Sequence, residues 1–123
     1  MLTDLYEASV TAINSYEKLI NSDEYGEMFS IRCKCPLVVS DGDFLLDPFA
    51  SEWIYADIVF ANSTCFNSDL MQQIADKAFQ MRAGSRFITF TSPLPSEAFE
   101  IKEKINLGMS WGTATCYIHI RYI

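Results

Sequence analysis

Apolar positions in the first 20 residues recur at helical spacing. Leu5, Ala8, Ala12, Tyr16, Leu19 and Ile20 follow a three-and-four period, which predicts an amphipathic helix over 4–20 with Thr3 or Asp4 as its N-cap. The polar run Asn21-Ser-Asp-Glu-Tyr-Gly26 ends it. Residues 27–36 fit strand or irregular structure equally well, and Pro36 breaks whatever precedes it. Leu37-Val38-Val39-Ser40 reads as a short strand, and Asp41-Gly42-Asp43 as the turn that closes it. Asp47-Pro48 opens a short helical segment through Trp53, with proline in the first turn.

The pattern then changes period. Within 56–62, Ile58, Val59 and Phe60 run on without alternation, as in a parallel strand covered on both faces. Ser68-Asp69 caps a predicted helix over 69–82, whose inward stripe is Leu70, Ile74, Lys77, Ala78 and Met81. Ala83-Gly84 stops that helix. Arg86–Thr91 is the next strand, and Ser92-Pro93-Leu94-Pro95 makes a stiff loop at its carboxyl end. Residues 98–110 and 113–122 alternate polar and apolar positions and predict a long antiparallel pair at the sheet edge. The predicted order is αβαβαβββ, an α/β fold in a single domain spanning 1–123.

Composition narrows the classes of function. Half of the 123 residues are hydrophobic and 14% are aromatic, which is enough for a packed core and argues against disorder. No apolar run reaches the roughly 20 residues of a membrane helix, and the first residues lack a basic, then apolar, signal segment. A cytoplasmic or nuclear location is the expectation. The net charge of −7, with the nine Lys and Arg scattered, argues against gripping nucleic acid through its phosphates. An acidic surface is compatible with a basic protein substrate, although most acidic domains are simply well solvated.

Cys33, Cys35, Cys65 and Cys116 stand in a chain without a secretion signal, where reduced thiols are expected. Cys33-x-Cys35 with Cys116-x-x-His119 has the residue types of a zinc site. A strand over 114–122 would turn Cys116 and His119 to opposite faces, which favours buried thiols and no metal. His119, the only histidine, reads as structural.

Asn62 ends a buried strand and is followed by a tight loop, Ser63-Thr64-Cys65-Phe66. In open α/β sheets ligands sit outside the carboxyl ends of the strands, so Asn62 occupies a ligand-facing position. Gly42-Asp43-Phe44-Leu45 lies just upstream. Together, Asp43-Phe44 and Phe60-Ala61-Asn62 through Phe66 resemble the second half of a class I S-adenosylmethionine-dependent methyltransferase, closest to the disruptor-of-telomeric-silencing (Dot1-like) histone lysine methyltransferases. The likeness spans about residues 4–122 and is strongest at 41–66 and 80–93.

That resemblance implies a partial, Rossmann-like sheet with helices packed on it and a C-terminal antiparallel hairpin that inserts the last strand. It implies S-adenosylmethionine as cofactor, with Asp43 at the adenine amine, Phe44 on the adenine ring and Asn62 near the sulfonium. Asn62 and Phe66 would face the reacting methyl group and the target side chain. The chain departs from the family in two places. Cys116 stands where the family's channel Tyr would fall, counting back from Tyr117-Ile118-His119. With glycines only at 26, 42, 84, 108 and 112, it also has no acidic-Gly-x-Gly loop to cradle the methionine part of the cofactor. The expectation is therefore a methyltransferase of protein lysine type, incomplete or inactive as this chain alone. The alternative is a non-catalytic binding or assembly module built on the same half fold. The strand lacking its neighbour would carry an open edge, covered by self-association or by an upstream or partner half.

Overall fold

The structure, a computed structural model, describes residues 2–20 and 37–122; side chains at 2–5 and 19–20 lie outside the description. The chain divides into two compact units, Met1–Gly42 and Asp43–Ile123. The first unit contributes α1 (Leu2–Ile20), a helix at the predicted place. Its partly buried positions are Val10, Ile13 and Tyr16, whereas Ala8 and Ala12 of the predicted stripe are exposed. The strand expected at Leu37–Ser40 does not form: these residues pair with no described strand, and Val38 is 83% exposed. Cys33, Cys35 and the ambiguous segment 27–36 lie outside the described residues.

The second unit is a mixed α/β layer. Its elements are α2 (Phe49–Ile54), β1 (Ile58–Phe60), α3 (Ser68–Ala78), β2 (Arg86–Phe90), β3 (Phe99–Met109) and β4 (Gly112–Arg121). The sheet has four strands in the order β1-β2-β4-β3. β1 and β2 are parallel, and β4 runs antiparallel to both of its neighbours. The hairpin expected over 98–122 is thus present, with its second strand inserted beside β2 and its first on the rim. A bulge between Ile101 and Glu103 shifts the register of β3, so that Phe99 and Ile101 stand opposite Arg121 and His119, whereas Glu103 and Ile105 stand opposite Ile118 and Cys116.

Helix α3 begins one residue earlier than its sequence signals indicate. Asn67, rather than Ser68 or Asp69, is the cap, accepting a hydrogen bond from Leu70 N at 2.8 Å. The helix ends at Ala78 instead of 82, because Phe79–Met81 tighten into turns. Of the predicted stripe, Ile74, Ala78 and Met81 are buried in the core cluster, Leu70 packs against it and Lys77 is only half-buried. Met71 and Ala75, outside the predicted stripe, are buried too. Arg121 covers the far end of the helix. Its guanidinium lies 5.1 Å from the Phe79 ring centroid and donates to Phe79 O at 3.3 Å, placing a buried cation where helix carbonyls point out.

The core lies between one sheet face and α2 and α3. Phe87 is at its centre, edge-on to Trp53 at 6.0 Å and to Phe99 at 6.2 Å. His119, only 1% exposed, sits across from Phe87 on β4. Its Nε2 accepts from Leu94 N at 3.0 Å, so Nδ1 carries the proton and donates to Phe87 O at 2.8 Å. Burial pushes the His119 pKa below its ordinary 6.5.

Two backbone conformations punctuate the unit. Gly84 ends the α3 region at φ 87°, with open space where a side-chain methyl would stand, and Thr91 ends β2 at φ 72°. A β-branched residue is strained there, whereas glycine is not. Thr91→Gly is expected to raise stability by about 1 kcal/mol, and Gly84→Ala to lower it by about 1 kcal/mol, both read from denaturant midpoints. His119 generates a pH dependence. The unfolded chain takes up the proton first, so its contribution is complete above 6.5 and is lost as the pH falls from there through the lower folded-state value. Thermal melts of the wild type should therefore decline in that interval, and His119→Gln, less stable at neutral pH, should lose that decline.

Candidate functional site

The site is built on the segment that leaves β1. Ala61 N donates to Ile88 O at 2.9 Å, extending the parallel ladder one step past the strand. Ser63 then turns into the sheet. Its hydroxyl donates to Phe90 O at 3.0 Å and accepts from Phe90 N at 2.9 Å, both bonds being buried. Phe66 N returns to Ser63 O at 3.0 Å and closes the loop before the Asn67 cap. Asn62 is held between these two anchors, exposed, with no side-chain hydrogen bond among the described residues.

A second segment approaches from the start of the unit. Asp43 Oδ1 accepts from Leu45 N at 2.9 Å and Asp43 O from Leu46 N at 3.0 Å, a local turn built by the aspartate itself. The Trp53 indole N–H donates to Phe44 O at 2.7 Å and ties this turn to α2. The Phe44 and Phe66 rings are near parallel, 18° apart with centroids 6.3 Å apart.

The two segments enclose a cavity of about 380 Å³ at the carboxyl end of β1. Phe44, Trp53, Ala61, Asn62, Phe66 and Phe87 contribute to its wall. Of the sequence-predicted site residues, Phe44, Asn62 and Phe66 come together here. Asp43 does not line the cavity; its carboxylate shapes the turn that presents Phe44. Trp53, which the sequence marks only as part of a short helix, forms wall and anchor at once. Its nine-residue offset from Phe44 carries no periodic signal that would link the two.

The chemistry of this cavity is that of an aromatic-walled slot with one free amide. Among the described residues no ionisable side chain lines it, so none of them supplies an acid–base pair or nucleophile there. Asn62 can both donate and accept without bringing a charge that must be desolvated. A planar, weakly polar ligand suits such walls.

Among the described residues no group of His, Cys, Asp or Glu is placed to hold a metal ion, and no helix is long and apolar enough to cross a membrane. Cys116 and His119 lie three residues apart on β4 and therefore on opposite faces, as the alternation predicts. Burial pushes the Cys116 thiol pKa up, and both His119 nitrogens are already engaged.

Ser63 is the anchor on which the site geometry turns. Ser63→Ala strands the buried Phe90 N–H and is expected to cost about 1–3 kcal/mol in chemical denaturation. No protein-family model matches the chain, and no curated protein is significantly similar to it.

Proposed function

We propose that the second unit is the adenine- and target-facing part of an S-adenosylmethionine-dependent methyltransferase of protein lysine type, and that these 123 residues bind the cofactor weakly and do not complete the catalyst. The observation that carries this reading is the cavity itself. It brings Phe44, from a separate segment, together with Asn62 and Phe66 of one loop at the carboxyl end of a parallel strand, where open α/β sheets hold ligands. The antiparallel β4 set between β2 and β3 supports it independently, being the inserted strand that the resemblance implies.

Each side chain then has a task that suits its chemistry. Phe44, presented by the Asp43 turn, offers a ring face to the adenine. Asn62 offers its amide oxygen to the target amine, orienting the nitrogen without competing for charge. Phe66 and Trp53 exclude water, which strengthens polar contacts made within the slot. When bound, the cofactor would supply the methyl group and depart as the neutral sulfide, while the target amine would have to give its proton to solvent before attack, because the described lining holds no base. That same absence also favours a second reading, a binding module with no catalysis of its own.

The sequence lacks the glycine loop, and it also lacks the acidic residue of a second strand that the resemblance implies for the ribose hydroxyls. Losing two or three charge-assisted hydrogen bonds of about 1.5–3 kcal/mol each takes a micromolar site to about 0.1 mM at the least, and beyond millimolar over most of that range. In an amide NMR titration with S-adenosylmethionine up to about 10 mM, shifts are expected at Phe44, Asn62, Phe66 and the Trp53 indole. Phe44→Ala should weaken them, whereas Asn62→Ala should leave the affinity largely intact. Low-micromolar affinity would refute incompleteness, and an undisturbed cavity would refute the cofactor assignment. In an active protein containing this unit, Asn62→Ala should abolish methyl transfer at saturating cofactor. Unchanged turnover would leave the binding-module reading in front.

A further inference from the structure

β1 lies at the rim of the sheet with its outer edge unpaired among the described residues. Ala61 N donates to Ile88 O and Asp57 O accepts from Arg86 N, so the odd-numbered residues of this segment turn their backbone groups toward β2. Alternation along a parallel ladder then turns the N–H and C=O of Ile58 and Phe60 outward. The same two residues are 61% and 57% exposed, and their side chains share one sheet face, although strands in parallel pairing are usually covered on both. The sequence expectation of a doubly covered strand is therefore not met by the described residues. Among the described residues two donors and two acceptors are unpaired at this short edge, beside two exposed apolar side chains, of which Phe60 also stands edge-on to Phe90 at 5.3 Å.

We propose that this edge pairs with the same edge of a second copy, antiparallel, about a two-fold axis at Val59. In that register Ile58 of one copy faces Phe60 of the other, and the reverse, while the two Val59 residues face each other. Each Ile58–Phe60 pair exchanges both N–H···O bonds, and Val59–Val59 is the non-hydrogen-bonded pair between them. All four outward groups of each copy are then satisfied. The exposed side chains meet as two aromatic/β-branched cross-strand pairs, a favourable combination.

Charge fits the same register. Asp57 faces Ala61 of the other copy rather than its own image, and Arg82 forms an ion pair with Asp57 within the same chain. No like charges are opposed along the seam, and the contact is isologous, so it closes at a dimer. The two four-stranded sheets become one of eight strands. Val59, Phe60, Ala61 and Asn62 all contribute to the cavity wall, so the strand that pairs is also a side of the cavity. The pairing itself does not rest on the methyltransferase reading.

Sedimentation of the full chain across about 10–200 µM tests this. The expected species has twice the 14.0 kDa chain mass. Each chain carries −7, so association should tighten with added salt, whereas a partner recognised by opposite charge would bind less well. Ile58→Lys and Phe60→Pro should each weaken association by at least about tenfold with unchanged circular dichroism, the proline because it removes an outward N–H. The double variant Ile58→Lys/Phe60→Glu places Lys opposite Glu in the proposed register and should restore the dimer. A monomeric wild type at the highest concentration overturns the proposal. A dimer indifferent to Ile58→Lys overturns it as well, and failure of the double variant to re-associate overturns the register.

Discussion

Phe87 and His119 face each other across β2 and β4, and the second unit is organised around that pair. The Phe87 side chain fills the centre of the core and reaches the cavity wall. Its carbonyl is bonded by His119, whose other nitrogen holds Leu94 and thereby the proline-flanked loop that leads into β3. One buried, neutral imidazole thus fixes two otherwise independent things, the position of β4 beside β2 and the path of the chain beyond β2. A buried histidine so used cannot also serve as a ligand or base, because protonation or metal binding at Nε2 would displace the Leu94 N–H. The lone histidine of this chain is structural for a reason visible in its hydrogen bonds.

Elements whose signals are local are legible in the sequence. The α3 stripe, the Gly84 stop, β2 and the β3–β4 hairpin come from periodicity and turn chemistry that act within a few residues. The segment 37–40 shows the limit of such reasoning. Leu37-Val38-Val39-Ser40 has strong strand propensity, but a strand exists only by pairing, and no described strand offers it a ladder. β1 illustrates the same point from the other side. Its continuous apolar run predicts burial on both faces, yet only Val59 joins the core, because composition cannot say whether a second layer is present.

The candidate site is partly legible for a similar reason. Asn62 stands out because strand ends are recognisable and their carboxyl ends collect ligands. Phe44 and Phe66 enter through the resemblance, and the structure brings them together with Asn62. The resemblance implies a ligand contact for Asp43; in the structure one of its carboxylate oxygens, Oδ1, accepts from Leu45 N, a turn-forming use that the sequence leaves open beside the other. Nothing in the sequence singles out Ser63 or Trp53. Both act through long-range backbone bonds, to Phe90 and Phe44, and such bonds have no signature at short range.

Charge and recognition are separated in this fold. The chain carries a net charge of −7, yet none of the described residues that line the cavity is ionisable. Aromatic walls and a single amide provide shape and orientation but little binding energy for a charged or highly polar ligand, since the polar ends of such a ligand would be desolvated without compensation. Any tight affinity must therefore come from groups that approach the cavity from outside its present wall. The side of β1 on which backbone groups stand unpaired is where such groups can be added without disturbing the core. The open edge and the under-equipped cavity are consequently one structural condition: what covers β1 also determines how much of a ligand this unit can hold.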